Sequence, residues 1–221
     1  MELHKIILDL LFPPKCPFCG RVEDRAEICP ACRRELPWTE DGEQEQTLPG
    51  KLRCVAPLWY EGLAREGLLR FKFQGASGAA DVLGQLIAAS AAERYPGEFD
   101  TVTWVPVSRK RLRRRGYDQS RLLTEAACRL WETRPAALLE KTRDNPAQSS
   151  LSDAAARRAN VLGIYRAAPE AAGKRILLVD DIVTTGATLQ ECARTLREAG
   201  AESVVCAAVA RARQKKGDIP S

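Results

Sequence analysis

The chain has one histidine, His4, in 221 residues. Imidazole is the usual proton carrier near neutral pH. Its scarcity points away from a mechanism built on a histidine base and toward proton traffic through carboxylates or a substrate. No apolar run approaches ~20 residues, which excludes a transmembrane helix, and no membrane partner is expected. The first twelve residues are apolar at Ile6, Ile7, Leu8, Leu10, Leu11 and Phe12 but carry Glu2, His4, Lys5 and Asp9. They lack the hydrophobic region and small-residue cleavage site of a signal peptide. Leu3, Ile6, Ile7 and Leu10 keep helical spacing, so a short amphipathic helix docked on its own protein is expected, and a cytoplasmic location with it. No internal repeat is present beyond two pairs of cysteines.

Hydrophobic content of 45% supports a sizeable core, and the length suits one α/β domain plus a small extra module. The formal net charge is +5, but six basic side chains crowd into residues 109–116, Arg-Lys-Arg-Leu-Arg-Arg-Arg-Gly; without them the balance would be −1. The chain is therefore not diffusely basic. It has one concentrated anion-attracting segment.

The densest chemistry lies in residues 175–189, Arg-Ile-Leu-Leu-Val-Asp-Asp-Ile-Val-Thr-Thr-Gly-Ala-Thr-Leu. Ile176 to Val179 read as a strand buried on both faces. Asp180 and Asp181 follow at its carboxyl end, then Thr184, Thr185, Gly186, Ala187 and Thr188, then a helical pattern from Leu189 to Ala199 that stops at Gly200. A turn rich in small and hydroxyl residues at a helix start is a phosphate cradle. The acidic pair beside it suits hydrogen-bond acceptance from a sugar diol, or a hydrated Mg²⁺. The stretch closely resembles the phosphoribosyl-pyrophosphate (PRPP) motif of type I phosphoribosyltransferases. The resemblance implies that Asp180 and Asp181 hold the ribose hydroxyls and that Thr184 to Thr188 hold the 5′-phosphate.

Cys16, Cys19, Cys29 and Cys32 follow the pattern Cys-x2-Cys-x9-Cys-x2-Cys. Two such knuckles close a tetrahedral zinc site, structural in kind because four thiolates leave no open coordination position. Disulfides are not expected without a secretion signal. Cys128, Cys192 and Cys206 fall on helix or strand patterns and read as core, while Cys54 lacks paired spacing.

Residues 39–47 are polar and acidic, with Pro49 and Gly50 following, and read as a linker. The division expected is 1–50 for an N-terminal helix, four-cysteine module and acidic linker, and 51–215 for an α/β domain with a core of its own. Strands are expected over 55–60, 101–107, 136–139, 161–166 and 203–209, and helices over 61–73, 79–94 and 119–132. Arg70 and Lys72, near the end of the 61–73 helix, could face a ligand, but solvated charges beside Leu68, Leu69, Phe71 and Phe73 are the preferred reading. The basic segment is expected as a loop at the sheet's carboxyl edge. Ser108, Arg109, Arg111, Arg114 and Arg115 are its candidate pyrophosphate or anion ligands, because forked guanidiniums suit bidentate phosphate contacts. The polar stretch from Lys141 to Asn160, interrupted by Pro146, is expected to be a lid. Its Lys141, Arg143, Gln148 and Arg157 resemble the flexible loop of glutamine-dependent PRPP amidotransferase.

Four further features join the PRPP motif: the cysteine module, Leu69-Arg-Phe-Lys-Phe-Gln-Gly75, Arg-Arg-Gly-Tyr-Asp-Gln at 114–119, and Gln148 with Arg157 and Asn160. Together they resemble the ComF family of competence-associated, phosphoribosyltransferase-like proteins over nearly the whole chain. The resemblance implies the type I phosphoribosyltransferase fold, with a mostly parallel five-stranded sheet behind a small zinc ribbon. It also implies structural Zn²⁺, Mg²⁺ carried with PRPP, and a link to DNA uptake in natural transformation. Two readings of function follow. One is an enzyme that transfers phosphoribosyl from PRPP to a nitrogen nucleophile, with Asp180 and Asp181 as catalytic candidates. The other is a non-catalytic accessory module that binds a nucleotide, single-stranded DNA or a DNA-translocating helicase. Single-stranded DNA is usually held by aromatic stacking, and only Tyr117 lies beside the basic run.

Overall fold

The computed structural model describes residues 13–73, 77–144 and 161–213, with the side chains of Phe73 and Ser77 left aside. The expected N-terminal helix, together with Gln148, Arg157 and Asn160, lies outside the described residues.

Strand β7 (Arg175–Val183) is an interior strand of the main sheet, paired on both sides. Ile176, Leu177, Leu178 and Val179 are all fully buried, as the apolar run requires. Strand alternation splits them between two layers: Leu177 and Val179 face one core, Ile176 and Leu178 the other. The neighbours of β7 are β8 (Ser203–Arg211) and β4 (Thr101–Trp104), both parallel to it. On the far side of β8 run β2 (Leu52–Val55) and β3 (Leu58–Trp59), both parallel to β8 and separated by Ala56 and Pro57. Proline has no N–H to give a ladder, which accounts for the break. An antiparallel edge strand, β1 (Glu45–Leu48), completes a sheet of six strands rather than the five expected.

One face carries α2 (Gly62–Phe73), α3 (Ser77–Arg94) and α5 (Gln119–Leu130); the other carries α6 (Ala187–Glu198) and a two-stranded hairpin of β5 (Leu139–Lys141) and β6 (Tyr165–Ala167). The expected strands at 136–139 and 161–166 thus shift toward 139–141 and 165–167 and leave the main sheet. Among the described residues no helix is long and apolar enough to cross a membrane.

Three expectations are corrected. The linker over 39–47 is partly sheet: Glu45 accepts from both Arg53 and Arg94, so its charge is paired instead of solvated, and β1 forms a hairpin with β2. A boundary at residue 50 would cut that hairpin. The basic segment is a helix, α4 (Arg109–Arg115), capped at its start by Ser108, whose Oγ accepts from the Arg111 N–H at 3.3 Å. The cysteine module, whose short helix α1 spans Pro30–Glu35, does not stand apart from the core. Cys16, Phe18, Cys29 and Cys32 are buried in one cluster with Leu68, Phe71, Leu83 and Ile87.

Candidate functional site

The site arises where two parallel neighbours end at different heights. β4 stops at Trp104, opposite Val179, whereas β7 continues to Val183 with β8 as its partner. The space left beside Asp180 and Asp181 is a cleft of about 390 Å³. Open α/β sheets bind ligands at this kind of edge, outside the carboxyl ends of the strands.

Asp180 and Asp181 lie inside β7, not on a solvent-facing strand end. Asp180 is half-buried, and its Oδ1 accepts from Ser120 Oγ and from the Asp181 N–H, both at 2.9 Å. Burial, followed by the adjacent Asp181 charge, pushes the Asp180 carboxyl up to about 7. Asp181 faces Lys72 Nζ at 3.5 Å across the cleft. Lys72, for which the solvated reading is only the preferred of two, therefore lines the cleft.

The end of α2 that carries Lys72 is held by the segment after α4. Tyr117 donates its hydroxyl to the Phe71 carbonyl at 2.6 Å, and Gln119 Nε2 donates to the Lys72 carbonyl at 3.3 Å. These are carbonyls of a helix's last turn, which lack intrahelical donors. Asp118 ties the same segment to the sheet. Its carboxylate accepts from the Val107 N–H at 3.0 Å and caps α5 through the Arg121 N–H at 3.2 Å. Two of the sequence stretches that carried the family resemblance thus meet as one unit.

Thr184 and Thr188 line the cleft with the acidic pair. Thr185 instead turns its Oγ1 to the Ala187 N–H at 3.4 Å. Gly186 starts α6 with φ 74°, a left-handed conformation, and brings no side-chain acceptor of its own to the helix start. A Cβ there would come within 2.6 Å of Leu48 Cδ2. The β1–β2 hairpin is therefore a wedge beneath the loop, and Gly186 is required by both backbone and packing.

Helix α4 divides its charges. Arg111, Arg114 and Arg115 line the cleft, whereas Arg109, Lys110 and Arg113 line a second groove with Ser108. Arg109 pairs with Glu140 on β5 at 2.7 Å. Of the five anion ligands expected, the structure brings three arginines to the cleft; Ser108 is a buried cap and Arg109 points elsewhere. Lys141, expected in a lid, is instead a buried residue of β5 that borders both hollows, its Nζ 5.4 Å from the centre of the Tyr165 ring. Burial, then the nearby Arg111 charge, lowers its pKa to about 8. Arg143 donates to the Gly163 carbonyl at 3.3 Å and lines only the second groove. Sequence reasoning missed Ser120 and Tyr165, which carry no local signal, and ranked a ligand-facing Lys72 below a solvated one.

The four cysteines of the N-terminal module meet. Their sulfurs all lie within 4.8 Å of one another, and Cys19 and Cys29 are 3.7 Å apart. Tetrahedral Zn–S bonds of about 2.3 Å set sulfurs about 3.8 Å apart, so the set fits Zn²⁺. The Cys32 N–H donates to Cys29 Sγ at 3.5 Å, an added stabilisation for a thiolate ligand. Cys54, Cys128, Cys192 and Cys206 are fully buried core residues.

A phosphoribosyl transferase domain family matches residues 120–220, and a double zinc ribbon domain family matches residues 7–42. The chain is 28% identical to competence protein ComFC of Bacillus subtilis over 84% of its own length and 72% of that protein's. It is 31% identical to the DNA utilization protein YhgH of Escherichia coli O6:H1, covering 86% of each chain. Among solved structures, glutamine PRPP amidotransferase from B. subtilis shares 22% identity over 64% of this chain and 30% of that one, with a TM-score of 0.44. With its parallel α/β sheet, PRPP-type motif and four-cysteine ribbon in one molecule, the chain belongs to the ComF family of phosphoribosyltransferase-like proteins.

Proposed function

We propose that the cleft binds PRPP together with Mg²⁺, that the protein transfers the phosphoribosyl group to a nitrogen nucleophile, and that it serves DNA uptake in the cytoplasm. The observation that carries this reading is the convergence on one cleft of an acidic pair, a threonine–glycine loop at a helix start, and three arginines. In this reading Asp180 and Asp181 accept from the ribose hydroxyls. The Thr184–Thr188 loop and the α6 start take the 5′-phosphate. Arg111, Arg114 and Arg115 face the pyrophosphate, where they would offset charge as it leaves. Asp180 and Asp181 are hard oxygen donors of the type Mg²⁺ prefers, and a cation would offset the Asp181 repulsion that adds to burial in raising Asp180. When bound, Mg²⁺ would supply charge neutralisation on the pyrophosphate. The anomeric carbon would gain oxocarbenium character, as in glycoside cleavage. Among the described residues lining the cleft there is no histidine, so a carboxylate of the acidic pair, Asp181 first, or the substrate itself would take the proton from the nucleophile.

The link to DNA uptake rests on the relatives named a competence protein and a DNA utilization protein. A DNA-translocating partner fits that role better than direct stacking of single-stranded DNA, because Tyr117 is already engaged with Phe71, through both its hydroxyl and its ring. Thermal unfolding with PRPP and Mg²⁺ tests the reading. At a hundredfold excess over Kd, binding should add about 2.7 kcal/mol and raise Tm. No shift with PRPP up to millimolar concentration would refute it.

A further inference from the structure

Helix α4 serves two hollows, and the second has no role in the function proposed above. That groove, of about 370 Å³, lies between α4 and the β5–β6 hairpin. Arg109, Lys110 and Arg113 approach from the helix, and Lys141, Arg143 and Arg166 from the hairpin side. These six cationic side chains face two carboxylates, Glu140 and Asp144. Glu140 is taken by Arg109, and Arg143 is anchored on the Gly163 carbonyl. Lys110, Arg113 and Arg166 form no ion pair among the described residues. Cations gathered on concave walls repel one another and raise a positive potential that an anion would neutralise.

The lining also says what kind of anion fits. It contains no aromatic and no aliphatic side chain, so it offers neither the aromatic platform on which bases usually stack nor a hold for an apolar group. The Thr142 hydroxyl is engaged with the Ile164 carbonyl at 3.0 Å, and Ser108 Oγ with the Arg111 N–H. Recognition falls to guanidinium and ammonium groups, whose forks and point charges match phosphate oxygens.

We infer that this groove is a second anion site, separate from the PRPP-type cleft, that takes the phosphate or pyrophosphate group of a small molecule. Lys141 borders both hollows, so an anion in the groove would favour its charged form and alter the cleft's own field. The inference stands whether or not PRPP is the ligand of the cleft.

Calorimetric titration of the full chain with inorganic pyrophosphate at low salt tests it. Two double variants separate the hollows, Arg113→Ala/Arg166→Ala for the groove and Arg114→Ala/Arg115→Ala for the cleft. Arg113, Arg114 and Arg166 are exposed and Arg115 is half-buried, and circular dichroism checks that both variants fold. The cleft variant should retain one pyrophosphate per chain, and the groove variant should weaken that binding about tenfold or more. Glycerol 3-phosphate is the second probe. Binding to the same site would identify a phosphate monoester ligand, whereas binding of pyrophosphate alone would identify a diphosphate; either supports the site. Pyrophosphate binding untouched by Arg113→Ala/Arg166→Ala, or abolished by the cleft variant, would overturn it. So would an oligothymidylate that loses affinity in the groove variant while pyrophosphate does not, since the groove would then belong to nucleic acid.

Discussion

Substituting Gly67 by Ala sets two effects of opposite sign against each other on the helix that carries Lys72. Gly67 lies within α2, and a Cβ there would meet Phe18 Cδ1 at 2.7 Å, the Pro17 carbonyl oxygen at 2.9 Å and Phe18 Cα at 3.0 Å. Alanine is the better helix former by about 1 kcal/mol. Overpacking costs about 1–3 kcal/mol. Two of the three contacts are with backbone of the first cysteine knuckle, which no rotamer change relieves, so the upper part of that range applies. The net expectation is a loss of about 1–2 kcal/mol, read as a lower urea midpoint at unchanged slope. Relief must come from moving the knuckle or the helix, and a moved helix carries Lys72 away from Asp181. PRPP affinity measured by calorimetry should fall with stability. A variant that is more stable than the wild type and binds PRPP equally well would refute this, and would show that the knuckle does not constrain α2.

Three further expectations follow from the same geometry. Asp180 has its folded pKa raised to about 7 from an unfolded value near 3.9, so between those values the folded state holds the extra proton and stability falls as pH rises. Asp180→Asn should flatten that slope, stabilising the chain at pH 8 and leaving it unchanged at pH 3, as read by urea unfolding across pH. Zinc removal by a chelator should lower the Tm of the whole chain, because Cys16, Phe18, Cys29 and Cys32 share a core with Leu68 and Phe71, and added zinc should restore it. A single transition at unchanged Tm would contradict this. Replacing Arg111, Arg114 and Arg115 together by Ala should weaken PRPP binding and flatten its dependence on salt, measured by calorimetry at two ionic strengths.

What the sequence made legible was contiguous. The Ile176–Val179 run, the acidic pair and the Thr184–Thr188 loop form one local strand–loop–helix, and the cysteine spacing encodes its own geometry. What it hid depends on other parts of the chain. Glu45–Leu48 is short and mostly polar, and it becomes a strand only because Arg53 and Arg94 pair with Glu45 and Leu48 packs beneath Gly186. The Arg109–Arg115 run has no apolar periodicity, so it reads as a loop although Ser108 and Gly116 stand at its ends as helix signals. Once it is a helix, its arginines separate by face, and Arg109 leaves the set that Arg111, Arg114 and Arg115 form. Lys72 and Asp181 are far apart in sequence, and their pairing follows only from the docking of Tyr117 and Gln119 on the end of α2. Lys141 belongs to a strand too short for a pattern, and its burial depends on Tyr165 across the hairpin.

The central claim, that Asp180 and Asp181 hold the ribose of PRPP, meets its most direct test in calorimetry with PRPP and Mg²⁺ on wild type and on Asp180→Asn/Asp181→Asn. Each substitution removes a charged acceptor, on the order of 1.5–3 kcal/mol per hydrogen bond lost. Removing two negative charges also eases repulsion of the phosphates, but that effect is partly screened by solvent and by the cation. The account predicts clearly weaker binding by a protein that remains folded. Unchanged or tighter binding would contradict it.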